Sequence, residues 1–540
     1  MEKNSSIDNS NQLSYQNELL TITVLGGIKL EGLDRMRVTL KVELNQSSRP
    51  AVRHNLDLYN DNQLEKFIRK IADKHEIGTN VVSASLAELT EGLEGYRLEK
   101  IKSEAENQVV KKKLTEDEKQ EAEEFLKSEN LLERTNDLIG KSGVIGEELN
   151  RLLMYLIFTS RKREQPLHVI SLGASGAGKT HLQEKVGELM PEEDRIEITV
   201  LSENAFYYFG QRELKHKLIL IEDLDGAENA LYPLRELQSK KRISKTVAHK
   251  NTKGETKTIH LVVEGPVSVS GCTTQESVYE DNSNRSFLLY LDESKEQDKR
   301  IMDYQRALSA GSVNKEEQEK ATMLLQNCQR ILQPVKVINP YAELLELPQA
   351  VFKPRRTNAH YLQFIEVITF YHQFQREQKS DETTGEIFIE TTLEDIENAN
   401  RLLKEILLRK SDELTGACRN YLEDVKTYLA ERDGKISSLP GSGQFSNREI
   451  RRALKINESN QKRHTLNLLS SYYIKRVKGS KSKGYLYEVV SYEEFKTLKE
   501  QIGNVLDETL KKLKPISERS SVVQKENEPR KANKNKAVKA

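Results

Sequence analysis

Cysteine is scarce in this chain. Cys272, Cys328 and Cys418 are the three in 540 residues, and they lie far apart. That spacing excludes a zinc cluster, and an odd, sparse count fits a reducing compartment rather than a disulfide framework. Net charge is missing too: 84 Lys and Arg stand against 84 Asp and Glu. The overall balance therefore points to no partner, and only local charge informs. Long apolar runs are absent. Leu152 to Phe158 is the longest near a possible span, far short of the ~20 residues a membrane helix needs. Met1 to Gln16 is polar and holds no apolar stretch, unlike a secretory leader. These absences predict a cytoplasmic protein with no membrane partner, and the length predicts several domains.

What is present is sharper. Gly173-Ala174-Ser175-Gly176-Ala177-Gly178-Lys179-Thr180 fits G-x-x-x-x-G-K-[ST]. An apolar run, Leu167 to Leu172, precedes it and reads as a buried strand; His181 to Met190 comes after it and reads as a helix. Strand, glycine turn and helix together make a phosphate cradle. The glycines let backbone N–H groups wrap phosphates, and the helix N-terminus adds its positive dipole end. Lys179 can reach β- and γ-phosphates, and Thr180 can ligate Mg²⁺. ATP and Mg²⁺ are the ligands this predicts.

Around that motif the chain alternates short strands and helices, the α/β pattern. Strands are expected at Leu167–Leu172, Ile196–Leu201, Leu218–Ile221, Val267–Gly271 and Phe287–Leu291. Residues 1–18 are rich in Asn and Ser and are expected to be disordered. Residues 19–96 read as a small α+β region, with strands at Leu19–Leu25 and Met36–Leu44. Residues 97–135 are dense in Lys and Glu; Thr115 to Glu118 forms a capping box, and the segment reads as a solvated linker helix. The α/β core spans 136–345, a helical lid 346–432 and a further compact unit 440–495. Residues 496–540 read as a helix followed by a basic, disordered tail, with ten Lys and Arg against three Glu from Lys511 onward.

Leu218 to Ile221 leads into Glu222-Asp223, 43 residues after Lys179. Acids at the end of a buried strand can hold the metal shell and orient water. By position Glu222 would sit by Mg²⁺ and Asp223 would polarise water; Asp225 is a weaker substitute, and an ordinary acidic strand end is the alternative. Thr274 stands just after the next strand, where a polar group can contact the γ-phosphate. Arg285, just before a strand, could stabilise charge on a neighbour's γ-phosphate or simply form a surface ion pair. Arg355 and Arg356 open the helical lid, where they could reach phosphate, cap the helix or face DNA. Ile243–Val263 reads as a hairpin carrying Lys245, Lys250 and Lys253; it could meet nucleic-acid phosphates or be an ordinary solvated hairpin. Finally, residues 446–483 hold eleven Lys and Arg against two Glu. Two short helices, the second with Lys462 and Arg463 near its start, precede two strands flanking Lys478, Lys481 and Lys483. Helix, helix and a basic two-stranded wing is the winged-helix pattern, which binds DNA or mediates protein contacts.

Taken together, these stretches resemble a known family. Besides the P-loop, the resemblance rests on Leu56–Tyr59, Gly143–Glu147, Thr159–Arg161 with Gln165–Leu167, Leu201–Tyr208, Glu222–Ala230 with Leu234–Ser239, Glu264–Val267, Asn284–Arg285 and Leu291–Ser294. The chain is similar to the ATPase portion of phage and mobile-element DNA primase-like proteins, an AAA+ group related to MCM-type helicases. The resemblance implies an AAA+ P-loop core with helical lid, a small N-terminal α+β region and a C-terminal winged helix. It implies a sensor 1 residue at Thr274, an arginine finger at Arg285, sensor 2 at Arg355 or Arg356, and a channel-facing hairpin with Lys245, Lys250 and Lys253. It further implies a homo-oligomeric ring on DNA with a separate primase or replication protein as partner. The CHC zinc finger and Toprim domain of many members have no counterpart here, so primer synthesis is not implied. The expected function is an ATP-dependent helicase or helicase-loader; an ATP-switched DNA-binding regulator and a protein-remodelling ATPase are the alternatives.

Overall fold

A computed structural model describes residues 13–28, 35–45, 47, 49–106, 112–199, 201–202, 204–227, 230–250, 256–274, 285–351, 353–434, 443–480 and 484–526; of the side chains at 98–106, 247–250, 256–257, 259 and 516–526 nothing is said. The chain divides into two compact units, Met1–Lys113 with Ser244–Leu261, and Leu114–Ile243 with Val262–Ala540.

The first unit holds an antiparallel sheet in chain order: β1 (Ser14–Gln16), β2 (Leu20–Leu25), β3 (Arg37–Leu44) and β4 (Val52–Asp57). Alternation buries one face, with Leu20, Ile22, Val38, Leu40 and Val42 inward. Helix α1 (Asp61–His75) is capped by Asn60, and left-handed Glu76 ends it. Helix α2 (Thr79–Glu106) is next, and Phe67, Ile71, Val82 and Leu86 complete that core.

The second unit opens with α3 (Glu116–Leu126) and α4 (Leu131–Lys141). Thr115 and Glu118 do form the capping box. The solvated linker expected over 97–135 is corrected here, because Ala122, Phe125, Leu126, Leu131, Leu132 and Ile139 are buried in the main core. Only one stripe of each helix is apolar, so charge density along the sequence hid it. Helix α5 (Glu148–Thr159) is buried nearly throughout and leads to β5 (Val169–Leu172). Then come α6 (Lys179–Gly187), β6 (Arg195–Ile198), β7 (Lys217–Ile221) and α7 (Leu231–Lys240). Strands β8 (Arg242–Lys250) and β9 (Thr256–Glu264), most of whose residues belong to the first unit, pair as a two-stranded sheet. Strands β10 (Val267–Thr273) and β11 (Phe287–Tyr290) finish the central sheet, whose order is β11-β5-β10-β7-β6, all parallel. Near-continuous burial of β5, β7 and β10 is what a sheet covered on both faces demands.

Helices α8 (Lys295–Ser309) and α9 (Lys315–Ile331) come after the sheet, and α9 packs on α3 and α4. A small sheet of β12 (Lys336–Ile338), β13 (Lys379–Ser380) and β14 (Ile387–Glu390) flanks α10 (Pro354–Tyr371) and α11 (Leu393–Lys410). Asp395, fully buried, pairs with His372 and Arg376; burial alone would raise its carboxyl, but those two partners outweigh it and hold it at about 2. Helix α12 (Gly416–Asp433) lies within the expected lid, yet its Cys418, Tyr421, Leu422, Val425 and Leu429 belong to the core of the C-terminal unit. That unit comprises β15 (Gln444–Ser446), α13 (Asn447–Leu454), α14 (Glu458–Ser470), β16 (Ile474–Ser480) and β17 (Gly484–Val489), with sheet order β15-β17-β16. The last helix, α15 (Glu494–Glu526), returns to pack on α11.

Candidate nucleotide site

Strand β5 leaves the sheet between β10 and β11, and its carboxyl end runs into the glycine loop. Gly176 and Gly178 take left-handed φ of 85° and 90°. Nothing lies within 4 Å of a Cβ at either, so glycine is required there by backbone conformation and not by space. Gly178 caps α6, so the loop's N–H groups and the helix N-terminus face one region. Ala174, Ser175 and Gly176 are exposed, while Lys179 is 8% exposed. The Lys179 ammonium donates to the Gly173 and Ala174 carbonyls at 2.9 and 2.6 Å. The Ala174 N–H donates to Glu293 Oε1 at 2.9 Å.

Thr180, in the first turn of α6, meets Cys272 on β10. Burial pushes the Cys272 thiol up to about 12, and the thiol also feels the charges of Lys179, Glu184 and Asp223. Lys179, Thr180 and Asp223 therefore share one neighbourhood at the carboxyl ends of β5, β10 and β7. Glu222 turns to the β6 side, where Thr199 donates its hydroxyl at 2.9 Å. Asp225 holds the tip of β10: it accepts from the Thr273 hydroxyl at 2.5 Å and from the Thr274 N–H and hydroxyl at 3.2 and 2.9 Å. Sequence reasoning ranked Asp225 low, yet it is what fixes Thr274 beside the acids.

Two residues were missed entirely. Gln183, fully buried on α6, donates to the Ile221 carbonyl at 3.1 Å and accepts from Ser270 at 2.7 Å. It bolts the P-loop helix to the acid-bearing strand. Glu293 sits against the loop and opens onto a cleft of about 1200 Å³, lined by Glu147, Asn150, Asp292, Arg409 and Asp424 among others. Glu293 lies in the Leu291–Ser294 stretch of the resemblance, but neither residue's role is readable there, because both act through partners distant along the chain.

The arginines lie elsewhere. Phe287 pairs with Val169, at the amino ends of β11 and β5. Arg285 precedes it and donates to the Ser239 hydroxyl at 2.8 Å. Arg355 and Arg356, in the first turn of α10, are exposed, and Arg356 lies within electrostatic reach of His360, whose ring stacks on Phe287 at 5.2 Å. The expected sensor 2 position thus sits at the end of the sheet opposite the chain's own P-loop. Position along the sequence says that these residues open a helix; it does not say at which end of the sheet.

Of the basic residues, Lys245 lies partly exposed on β8, the side chain of Lys250 is not described, and Lys253, Lys481 and Lys483 lie outside the described residues. Lys462 and Arg463 are exposed on α14, whose Gln461, His464, Thr465 and Leu468 face inward. Lys478 is exposed on β16, as are Lys475, Arg476 and Val477. The Arg476 guanidinium stacks on Tyr485 at 4.6 Å. Gly479 has φ of 117°, and a Cβ there would meet the Gly484 carbonyl at 2.1 Å, so β16 and β17 approach closely at that point.

The residues present fit a nucleotide with Mg²⁺: an N–H array at a helix N-terminus, a buried lysine, a hydroxyl on the first helical turn and a carboxylate beside it. No curated protein matches the chain. Among solved structures, a proposed ATPase from Cytophaga hutchinsonii is 16% identical, over 55% of this chain and 89% of that one, with a TM-score of 0.31. A full-length MCM homologue from Methanopyrus kandleri is 14% identical, with a TM-score of 0.35; the match covers 56% of this chain and 64% of that one. Among the described residues, no helix is long and apolar enough to cross a membrane. Residues 113–334 match the family model of the MTBMA_p00010 P-loop domain, a span that holds the central sheet, the glycine loop and every strand-end residue described above.

Proposed function

We propose that this chain is an ATP-dependent DNA-processing motor, a helicase or helicase-loader in the replication of a phage or mobile element. On this reading it works in the cytoplasm, as a homo-oligomeric ring alongside a separate primase or replication protein. The observation that carries the proposal is the gathering of Lys179, Thr180 and Asp223 around Cys272 at the carboxyl ends of three adjacent parallel strands.

The loop N–H groups and Lys179 bind the phosphates of ATP, the lysine exchanging two backbone carbonyls for phosphate oxygens. Mg²⁺, when bound, neutralises charge developing on the transferred phosphoryl group; Thr180 and an acid of β7 would hold it. Asp223 acts electrostatically on the same Cys272 thiol that Thr180 meets, which supports it in that role. Glu222, oriented by Thr199, then positions the attacking water. This exchanges the roles that order along the chain suggested. Thr274, held by Asp225, completes the strand-end row. Arg285 and the Arg355–Arg356 pair lie at the far end of the sheet from their own loop, which supports action on the nucleotide of a neighbouring subunit and hence a ring.

The C-terminal unit reads as a winged helix, with α12 as its first helix, α14 as the recognition helix and β16–β17 as the wing. Lys462, Arg463 and Lys478 on its exposed side support phosphate contact. Lys245, Lys250 and Lys253 of the β8–β9 hairpin are proposed as further DNA contacts. ATP turnover with and without single-stranded and duplex DNA tests the proposal. DNA should raise turnover several-fold, and Lys179→Ala should abolish it. Lys179-dependent turnover indifferent to every DNA would favour a protein-remodelling ATPase.

A further inference from the structure

Lys410, the last residue of α11, has an unusual setting. Its ammonium donates to His360 Nδ1 at 3.4 Å and lies 5.7 Å from the centre of the Phe287 ring. That contact requires His360 to be neutral with Nδ1 as acceptor. Burial brings His360 down to about 3, with Lys410, His168 and Arg356 adding to the effect; His168, 6% exposed, is brought down to about 4. Both imidazoles are therefore uncharged at neutral pH. The positive charge at this edge resides on Lys410, Arg355, Arg356 and Arg285. Among the described residues, no carboxylate pairs with Lys410, Arg355 or Arg356. The preceding residue makes the contrast: Arg409 reaches the Asn420 side chain and the Tyr290 ring on the cleft side.

A desolvated ammonium without a counter-charge is unfavourable, and a lysine at a helix end can usually extend into water. Here packing on Phe287 and the bond to His360 hold it in. An anion arriving from outside would supply the missing charge. We infer that Lys410, with Arg355 and Arg356, forms a phosphate-binding site at the amino ends of β5 and β11 for the nucleotide of a second copy of this chain. The inference rests on the proposed ATPase ring. It adds to the arginines a lysine carried on a different helix, one that no motif marks. A second copy is favoured because the chain's own phosphate cradle is at the opposite end of the same sheet, so head-to-tail association brings the two ends together.

The groups facing Lys410 are His360 from α10 and the Phe287 ring, and His360 in turn feels Arg356 and His168; α15 meets α11 elsewhere, through Lys499 and Glu405. Burial brings the Lys410 ammonium down to about 8. Its charge is present below that pH and lost as pH rises through it. Turnover that needs the charge must therefore fall above about pH 8.

The test uses the full chain with Lys410→Met, which keeps the apolar stack, and Lys410→Arg, which keeps the charge. Lys410→Met should lower ATP turnover about tenfold or more while leaving ATP affinity at its own loop unchanged. Mixed with Lys179→Ala, it should give more turnover than the sum of the two alone, since an intact edge then meets an intact loop. Lys410→Arg should retain activity and lose the decline above pH 8. Wild-type turnover in Lys410→Met, a merely additive mixture, or a loss of DNA affinity with turnover per site intact would each overturn the inference, and the last would assign the lysine to nucleic acid. Should Lys410→Met fail to fold, a decline above pH 8 that persists in Lys410→Arg overturns it equally. Wild-type chain that hydrolyses no ATP would defeat the ATPase proposal itself, an outcome distinct from all of these.

Discussion

At the scale of single residues, the phosphate cradle was legible because its chemistry is local. A glycine loop needs particular residues at fixed spacing, and Gly176 and Gly178 take left-handed angles that suit glycine. The acids were less legible. Glu222 and Asp223 are neighbours in sequence, but the end of β7 sends them to different surroundings, one to Thr199 and the other to the Asp225 N–H, within electrostatic reach of Cys272. Asp223→Asn should therefore weaken Mg²⁺-dependent nucleotide binding together with turnover. Glu222→Gln should cut turnover by ~10²-fold or more with nucleotide affinity retained. Nucleotide titration beside steady-state turnover for each variant separates the two roles. Equal loss of affinity in both would contradict the division.

At the scale of elements, strands of the central sheet could be read from apolar runs, whereas the helices around it could not be assigned to the right layer. Helix α3 is mostly charged, and three buried residues decide where it sits. Helix α12 carries a stripe that fits a lid as well as a C-terminal unit; only its partners Phe445, Ile450 and Leu468 settle the matter. Gln183 acts at this level, joining α6, β7 and β10 through one amide. Gln183→Leu leaves Ser270 and the Ile221 carbonyl without it, so stability should fall by ~1–3 kcal/mol; thermal unfolding measures this, and an unchanged midpoint would remove the latch role. The wing is open to a salt titration. Each phosphate contact contributes ~0.9 to the slope of log affinity against log salt. Replacing Lys478, Lys481 and Lys483 with Ala should flatten that slope by roughly 2–3 on this count, without altering sequence preference. An unchanged slope would take the wing out of the DNA interface.

At the scale of the whole molecule, one side chain ties the C-terminal unit to the helices before it. Arg419, 2% exposed, binds Asp412 at 2.7 Å and Glu494 at 2.6 Å, and its guanidinium is stacked between Tyr473 and Phe495 at 4.9 and 4.6 Å. Planar, fixed charge with five donors suits arginine to such a junction. Arg419 in this way joins α12 and the start of α15 to Asp412, just past the end of α11. None of this was readable in advance, since Asp412, Arg419, Tyr473 and Glu494 carry no pattern that joins them. The account turns on ATP hydrolysis being coupled to strand separation. Unwinding of a forked duplex by the full chain, with and without ATP and with Lys179→Ala as control, tests that most directly. The account predicts strand release that requires ATP and is abolished in Lys179→Ala. Robust, Lys179-dependent ATP turnover with no strand release on any fork, together with a sequence-specific footprint, would contradict it and mark the chain as a DNA-binding regulator instead.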